Sequence, residues 1–75
     1  MSRALEVTSE MTAAVLSVEV VPGDTVAEGT VLLVVESMKM EIPIISPAAG
    51  TVSDVRVSKA DVVAEGDTMV VISSP

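Results

Sequence analysis

Along Val15 to Val20 (VLSVEV) and Val52 to Val57 (VSDVRV), apolar and polar residues follow the alternation of a strand with one buried face, loosened at Leu16. Shorter apolar runs, Val31 to Val35 and Met69 to Ile72, follow each of them in turn. The breaks are marked by turn chemistry. Pro22-Gly23-Asp24, Glu28-Gly29, Ser46-Pro47 and Glu65-Gly66 combine a proline that presets φ with glycines free to take positive φ. Sixteen valines and four isoleucines in 75 residues reinforce the strand reading, because branched side chains are restricted in helices and suit a pleated surface. No segment carries a helical period. The pattern predicts strands near 3–8, 13–20, 31–37, 40–45, 50–57 and 68–73, with shorter pairings near 25–27 and 62–64.

The chain repeats itself at an offset of 37 residues. Asp24 to Gly29 (DTVAEG) returns as Asp61 to Gly66 (DVVAEG). Backwards, Val15, Val18 and Val20 align with Val52, Val55 and Val57; forwards, Leu32, Val34 and Val35 align with Met69, Val71 and Ile72. The chain therefore divides into half-repeats of about 3–38 and 40–75, with Lys39 at the junction. If the halves pack about a pseudo-twofold axis, the link between them corresponds to the gap between the chain termini, and the lysine and the termini lie at opposite ends. The expected architecture is all-β, a flattened sandwich of two sheets in one domain over residues 1–75. A hairpin at Met38-Lys39 follows from this symmetry and not from local sequence, since no Asn-Gly or Asp-Gly pair is present. A type I turn, which accepts most residues, is the expectation there.

Composition narrows the function. A chain this short buries only about 60% of its unfolded surface, which argues against a deep catalytic cleft. There is no Cys, no His and no Phe, Tyr or Trp. Thiolate chemistry, imidazole acid-base chemistry and aromatic stacking platforms are thereby removed, and the chain does not read as an enzyme. A formal net charge of −7 opposes binding to nucleic acid, which rests on neutralising phosphates, and favours proteins with basic surfaces. No apolar run approaches the roughly 20 residues of a membrane span, and the opening MSRALEVTSEM lacks the apolar stretch of a secretory signal. A monomer in the cytoplasm is the expectation. Gly23, Gly29, Gly50 and Gly66 read as backbone-shape residues, and Asp24, Glu28, Asp61 and Glu65 as turn chemistry in equivalent places of the two halves.

The candidate chemistry is the amine of Lys39. A lysine amine in water is protonated at pH 7, so it becomes a nucleophile only where another protein removes the proton; Lys39 is thus a substrate residue, not a catalyst. Met38 and Met40 flank it with soft, polarizable side chains suited to a docking partner. The alternative is that Met38, Met40, Ile42 and Ile44 continue one buried stripe. Glu36 and Glu41 bracket the group as recognition charges or as charges that blunt exposed strand ends.

The stretch Glu36-Ser-Met-Lys-Met-Glu41 closely resembles the attachment motif of biotinyl domains, the biotin carboxyl carrier modules of the biotin/lipoyl attachment family. Val21 to Gly29 (VPGDTVAEG) resembles that family's turn before the attachment hairpin, and Ser46 to Val52 (SPAAGTV) the corner after it. With Glu65-Gly66-Asp67, the similarity spans nearly the whole chain. It implies a barrel-sandwich hybrid of two four-stranded antiparallel sheets with the modified lysine on a hairpin turn. It further implies that biotin protein ligase attaches biotin to Lys39 through biotinyl-adenylate. Biotin carboxylase and carboxyltransferase components would be partners, the carboxyl group passing between them as carboxybiotin. In that frame Met38, Met40, Glu36 and Glu41 are recognition residues around the cofactor, and no metal is implied.

Ala60 departs from the pattern, standing where the repeat partner is Gly23 and where the family usually has glycine; a different turn type is the expectation. Without room for a protruding thumb loop or a Pro/Ala-rich linker, the chain looks like a small free-standing biotinylated protein or an excised carboxyl-terminal carboxylase domain. Two alternatives stay beside this reading. One is a lipoyl carrier, although lipoyl domains tend to show Glu-Thr-Asp-Lys-Ala at the tip. The other is an unmodified lipoyl-like adaptor module.

Overall fold

A computed structural model describes residues 3–74. Eight strands follow one another: β1 (Arg3–Thr8), β2 (Ala13–Val18), β3 (Thr25–Val26), β4 (Val31–Ser37), β5 (Met40–Ile45), β6 (Gly50–Val55), β7 (Val62–Val63) and β8 (Thr68–Ser74). They form two four-stranded sheets, ordered β1-β8-β6-β3 and β5-β4-β2-β7, with every pairing antiparallel. Advancing each strand of the first sheet by half a repeat generates the second. Among the described residues no helix is long and apolar enough to cross a membrane.

The duplication extends to individual backbone hydrogen bonds. Gly23 N donates to Val52 O at 2.8 Å, and 37 residues on Ala60 N donates to Val15 O at 2.8 Å. Val52 N to Asp24 O is matched by Val15 N to Asp61 O, each 2.8 Å. Gly29 N to Ser46 O, 2.9 Å, is matched by Gly66 N to Ser9 O, 2.8 Å. These bonds run between the halves, so each half supplies the partners that the other's loops need. Buried backbone polar groups go unpaired only at a cost, which is why the two halves fold as mutual complements.

Strand irregularities are duplicated as well. The β2–β4 register slips between Val15 and Ser17, leaving Leu16 as an extra residue, and the β6–β8 register slips between Val52 and Asp54. The loosened alternation at Leu16 is therefore a β-bulge, in which two residues oppose one. A second pair of bulges places Leu32 and Met69 as the extra residues of β4 and β8. There two consecutive side chains turn inward: Leu32 and Leu33, and Met69 and Val70, are all fully buried. This accounts for the apolar runs that strict alternation does not produce.

The core is aliphatic, built on Leu32, Leu33, Met69, Ile72, Val15, Val35, Val52, Val63 and Val70. Burying each such side chain contributes roughly 1.5–3 kcal/mol. The buried polar residues, Ser9 and Ser46, are again repeat mates. Their hydroxyls donate to Met11 O and, at 2.7 Å, to Ala48 O, closing the corners after β1 and β5. Among the described residues no buried side-chain polar atom lacks a partner.

Two turn expectations are corrected. Ala60 does not adopt a different turn type: its φ is +78°, in the same left-handed region as Gly23 at +99°. Its amide must reach Val15 O, so the tertiary bond imposes a conformation that costs an L-residue about 1–2 kcal/mol. The Met38-Lys39 turn is not type I either, and its geometry belongs to the site. As for the acidic turn residues, Asp24 and Asp61 accept from Val21 N and Ser58 N at 3.0 and 2.8 Å. The positions near Glu28 and Glu65 are instead closed by Thr30 Oγ1 and Asp67 Oδ2, which accept from Ala27 N and Ala64 N.

Candidate functional site

The β4–β5 ribbon carries the junction of the two halves. Its register runs Val35↔Ile42, Glu36↔Glu41, Ser37↔Met40, leaving Met38 and Lys39 as a two-residue loop. Both have positive φ, +54° and +64°. Left-handed geometry at both central residues defines a primed type I turn, whose twist matches that of the flanking strands, whereas type I would splay them. The long paired ribbon and its buried Val35 fix the register, and the register dictates the turn. Neither residue is glycine or asparagine, so each bears about 1–2 kcal/mol of backbone cost.

The corresponding place in the other half is where β8 and β1 end, at the pair Arg3↔Ser74. The molecule measures 39 × 19 × 17 Å. That long axis suits two ribbons of about 20 Å each, at roughly 3.3 Å per residue, pointing away from each other about the pseudo-twofold axis.

Side chains at the tip face solvent. Met38 is 92% exposed, Met40 is 64% exposed, and Lys39 is exposed. Ile42 and Ile44 share a face of β5 with Met40 and pack against the core, so the buried-stripe alternative holds for the isoleucines and ends before the methionines. Met40 overshoots the core and Met38 belongs to the turn. Glu36 and Glu41, both exposed, lie directly opposite each other one step below Ser37 and Met40. Like charges in this relation repel, by up to about 1 kcal/mol, and with Lys39 at the turn they make the tip mixed in charge with an acidic collar. Among the described residues the ion pair within 4 Å is Arg56 to Asp54 at 2.9 Å, which leaves Lys39 without a carboxylate partner.

All five residues singled out in the sequence, Lys39, Met38, Met40, Glu36 and Glu41, are thus gathered within one turn and its two flanking rows. Sequence reasoning missed the left-handed backbone of the turn and the face-to-face placement of the two glutamates. The second was readable once a two-residue loop at 38–39 is accepted. Shallow concavities of about 450 and 280 Å³ lie away from the tip, one beside Arg56, Asp61 and Asp67, the other between the Val7–Met11 segment and Ile42–Ile45. The site is therefore a protruding one, able to enter another protein's cleft: an unpaired primary amine on a stiff ribbon.

The biotin/lipoyl family model, described as "Biotin-requiring enzyme", matches residues 5–72. A biotinylated protein TB7.3 homolog from Mycobacterium leprae is 50% identical over 48 residues, which are 64% of this chain and 68% of that protein. A biotinylated protein TB7.3 homolog from Mycolicibacterium smegmatis is 49% identical over 41 residues, 55% of this chain and 58% of that protein. Among solved structures, a single-chain, multi-domain long-chain acyl-CoA carboxylase superimposes with a TM-score of 0.89 at 26% identity, over 96% of this chain and 7% of that one. The urea carboxylase of Kluyveromyces lactis gives a TM-score of 0.87 at 28% identity, over 93% of this chain and 6% of that one. The matched region is a small part of both carboxylases and more than half of both mycobacterial proteins.

Proposed function

We propose, from the premise that this chain belongs to the biotin/lipoyl family of biotin-requiring enzymes, that it is a biotin carrier module with Lys39 as its attachment residue. The observation that carries this reading is the exposed, unpaired Lys39 amine at a primed two-residue turn within the sequence Glu36-Ser-Met-Lys-Met-Glu41.

The residues present fit the group. Nζ of Lys39, deprotonated by biotin protein ligase, attacks the carboxyl carbon of biotinyl-adenylate; the amide bond forms as the acyl–phosphate bond breaks, AMP leaves, and the lysine's cation is lost. Biotin held there supplies a ring that takes up a carboxyl group in one active site and gives it up in another. Met38 and Met40 offer apolar flanks that a partner can desolvate, while Glu36 and Glu41 present negative charge to a basic ligase surface. The body of the domain holds the tip away from the core, so the lysine stem and the appended chain form a tether that keeps the ring at high effective concentration in both sites. The partners are the ligase and the biotin carboxylase and carboxyltransferase components of a carboxylase system. The chain acts as one attachment domain, monomeric, in the cytoplasm.

Co-expression with a biotin ligase, followed by intact mass and peptide mapping, tests the assignment. One biotinyl group on the Lys39 peptide, and none in Lys39→Arg with its circular dichroism unchanged, is the expected result. Label retained by Lys39→Arg, or found on Lys59, overturns it. The same mass measurement on protein from its source separates biotin from lipoate, the other group carried within this family.

A further inference from the structure

We infer that Met38 and Met40 make the attachment tip redox-sensitive: conversion of these two thioethers to sulfoxides by a peroxide-class oxidant slows loading of Lys39. The inference rests on the carrier reading above. With no cysteine, histidine, tryptophan or tyrosine in the chain, the soft oxidisable side chains are the methionines. Their exposure is sharply graded: Met38 92%, Met40 64%, Met11 37% and Met69 0%. Among the described residues the two most exposed sulfurs therefore flank the one amine proposed for modification. Met69, the bulge residue of β8, is sealed in the core.

The chemistry balances with hydrogen peroxide as oxidant. A sulfur lone pair attacks one peroxide oxygen, the O–O bond breaks, and the second oxygen leaves as water after taking up a proton. The thioether is oxidised by two electrons and the peroxide is reduced by two. The product replaces a flexible apolar side chain with a polar, chiral one whose oxygen needs a hydrogen-bond donor. A partner that desolvates both flanks of Lys39 meets two unpaired acceptors where it had soft apolar surface. Neither methionine belongs to the core cluster, so the oxidised fold is retained. Methionine sulfoxide reductases restore the thioether with thiol reductant, which makes the change a reversible gate.

The test uses the intact chain, treated with hydrogen peroxide that is removed before ligase, biotin and ATP are added. Peptide mapping over time is expected to show Met38 and Met40 oxidised first, Met11 later and Met69 protected. Labelling of the oxidised chain is expected to be about tenfold slower than that of the untreated chain, with the rate recovered after sulfoxide reductase and dithiothreitol. A Met38→Leu/Met40→Leu variant, whatever its own starting rate, is expected to be labelled equally before and after peroxide. Oxidation of Met69 as fast as the tip, or equal labelling of oxidised and untreated wild type, overturns the inference while leaving the carrier reading intact. An untreated chain that takes no label overturns both.

Discussion

Ala60 adopts φ of +78° because its amide is needed by Val15 O, 2.8 Å away. Its repeat mate Gly23 makes the same bond to Val52 O without a Cβ in the way. Ala60→Gly relieves about 1–2 kcal/mol of left-handed cost and adds about 0.4–1 kcal/mol of unfolded-state freedom. We expect a net stabilisation of about 0.5–1 kcal/mol, read by urea denaturation; an unchanged or lowered midpoint would show that the bond to Val15 imposes no strain. Lys39 and Met38 occupy the same backbone region for a different reason, the closure of a paired ribbon. Lys39→Arg preserves that closure and removes only the amine, so loss of label without loss of circular dichroism signal is the outcome expected at this position.

At the scale of elements, Gly50 shows what a strand can require of one residue. It opens β6, where an added Cβ would meet Ser73 O at 2.4 Å and Ile72 Cγ2 at 2.9 Å. The clash is with backbone of the neighbouring strand, which has little freedom to retreat. Gly50→Ala is expected to lower stability by about 2–3 kcal/mol in chemical denaturation, the scale of overpacking a closed site. The repeat mate in β2 is Ala13, buried and accommodated, so the two halves are not interchangeable side chain by side chain. The β4–β5 ribbon obeys a similar rule: Pro43, lacking an N–H, is tolerated because β5 is an edge strand.

For the molecule as a whole, charge sets the terms of encounter. The formal net charge is −7, and acylation of Lys39 removes one positive charge, giving −7 − 1 = −8. Loaded protein should elute later than unloaded protein on anion exchange at pH 7; co-elution of forms distinguished by mass would contradict loss of the lysine cation. Association with a basic ligase surface should slow as salt rises through the range where the Debye length falls from about 10 Å to about 3 Å, measured by stopped-flow or surface-binding kinetics.

Much of this arrangement is decided locally or by pattern. Val-rich alternation, the turn residues and the 37-residue repeat determined an all-β duplicated sandwich and placed strands near their observed ends. The motif around Lys39 made the candidate site readable through its resemblance to the biotinyl attachment motif, since a single exposed lysine is by itself an ordinary solvated side chain. What only the tertiary structure decided is where the backbone departs from local preference. The bulges that bury Leu32 and Met69, the left-handed Ala60, the primed Met38-Lys39 turn and the opposition of Glu36 to Glu41 all follow from inter-strand hydrogen bonds and register. Such bonds join residues far apart in the chain, and each outweighs the one or two kcal/mol by which a single residue would have chosen otherwise only when the whole sheet is in place.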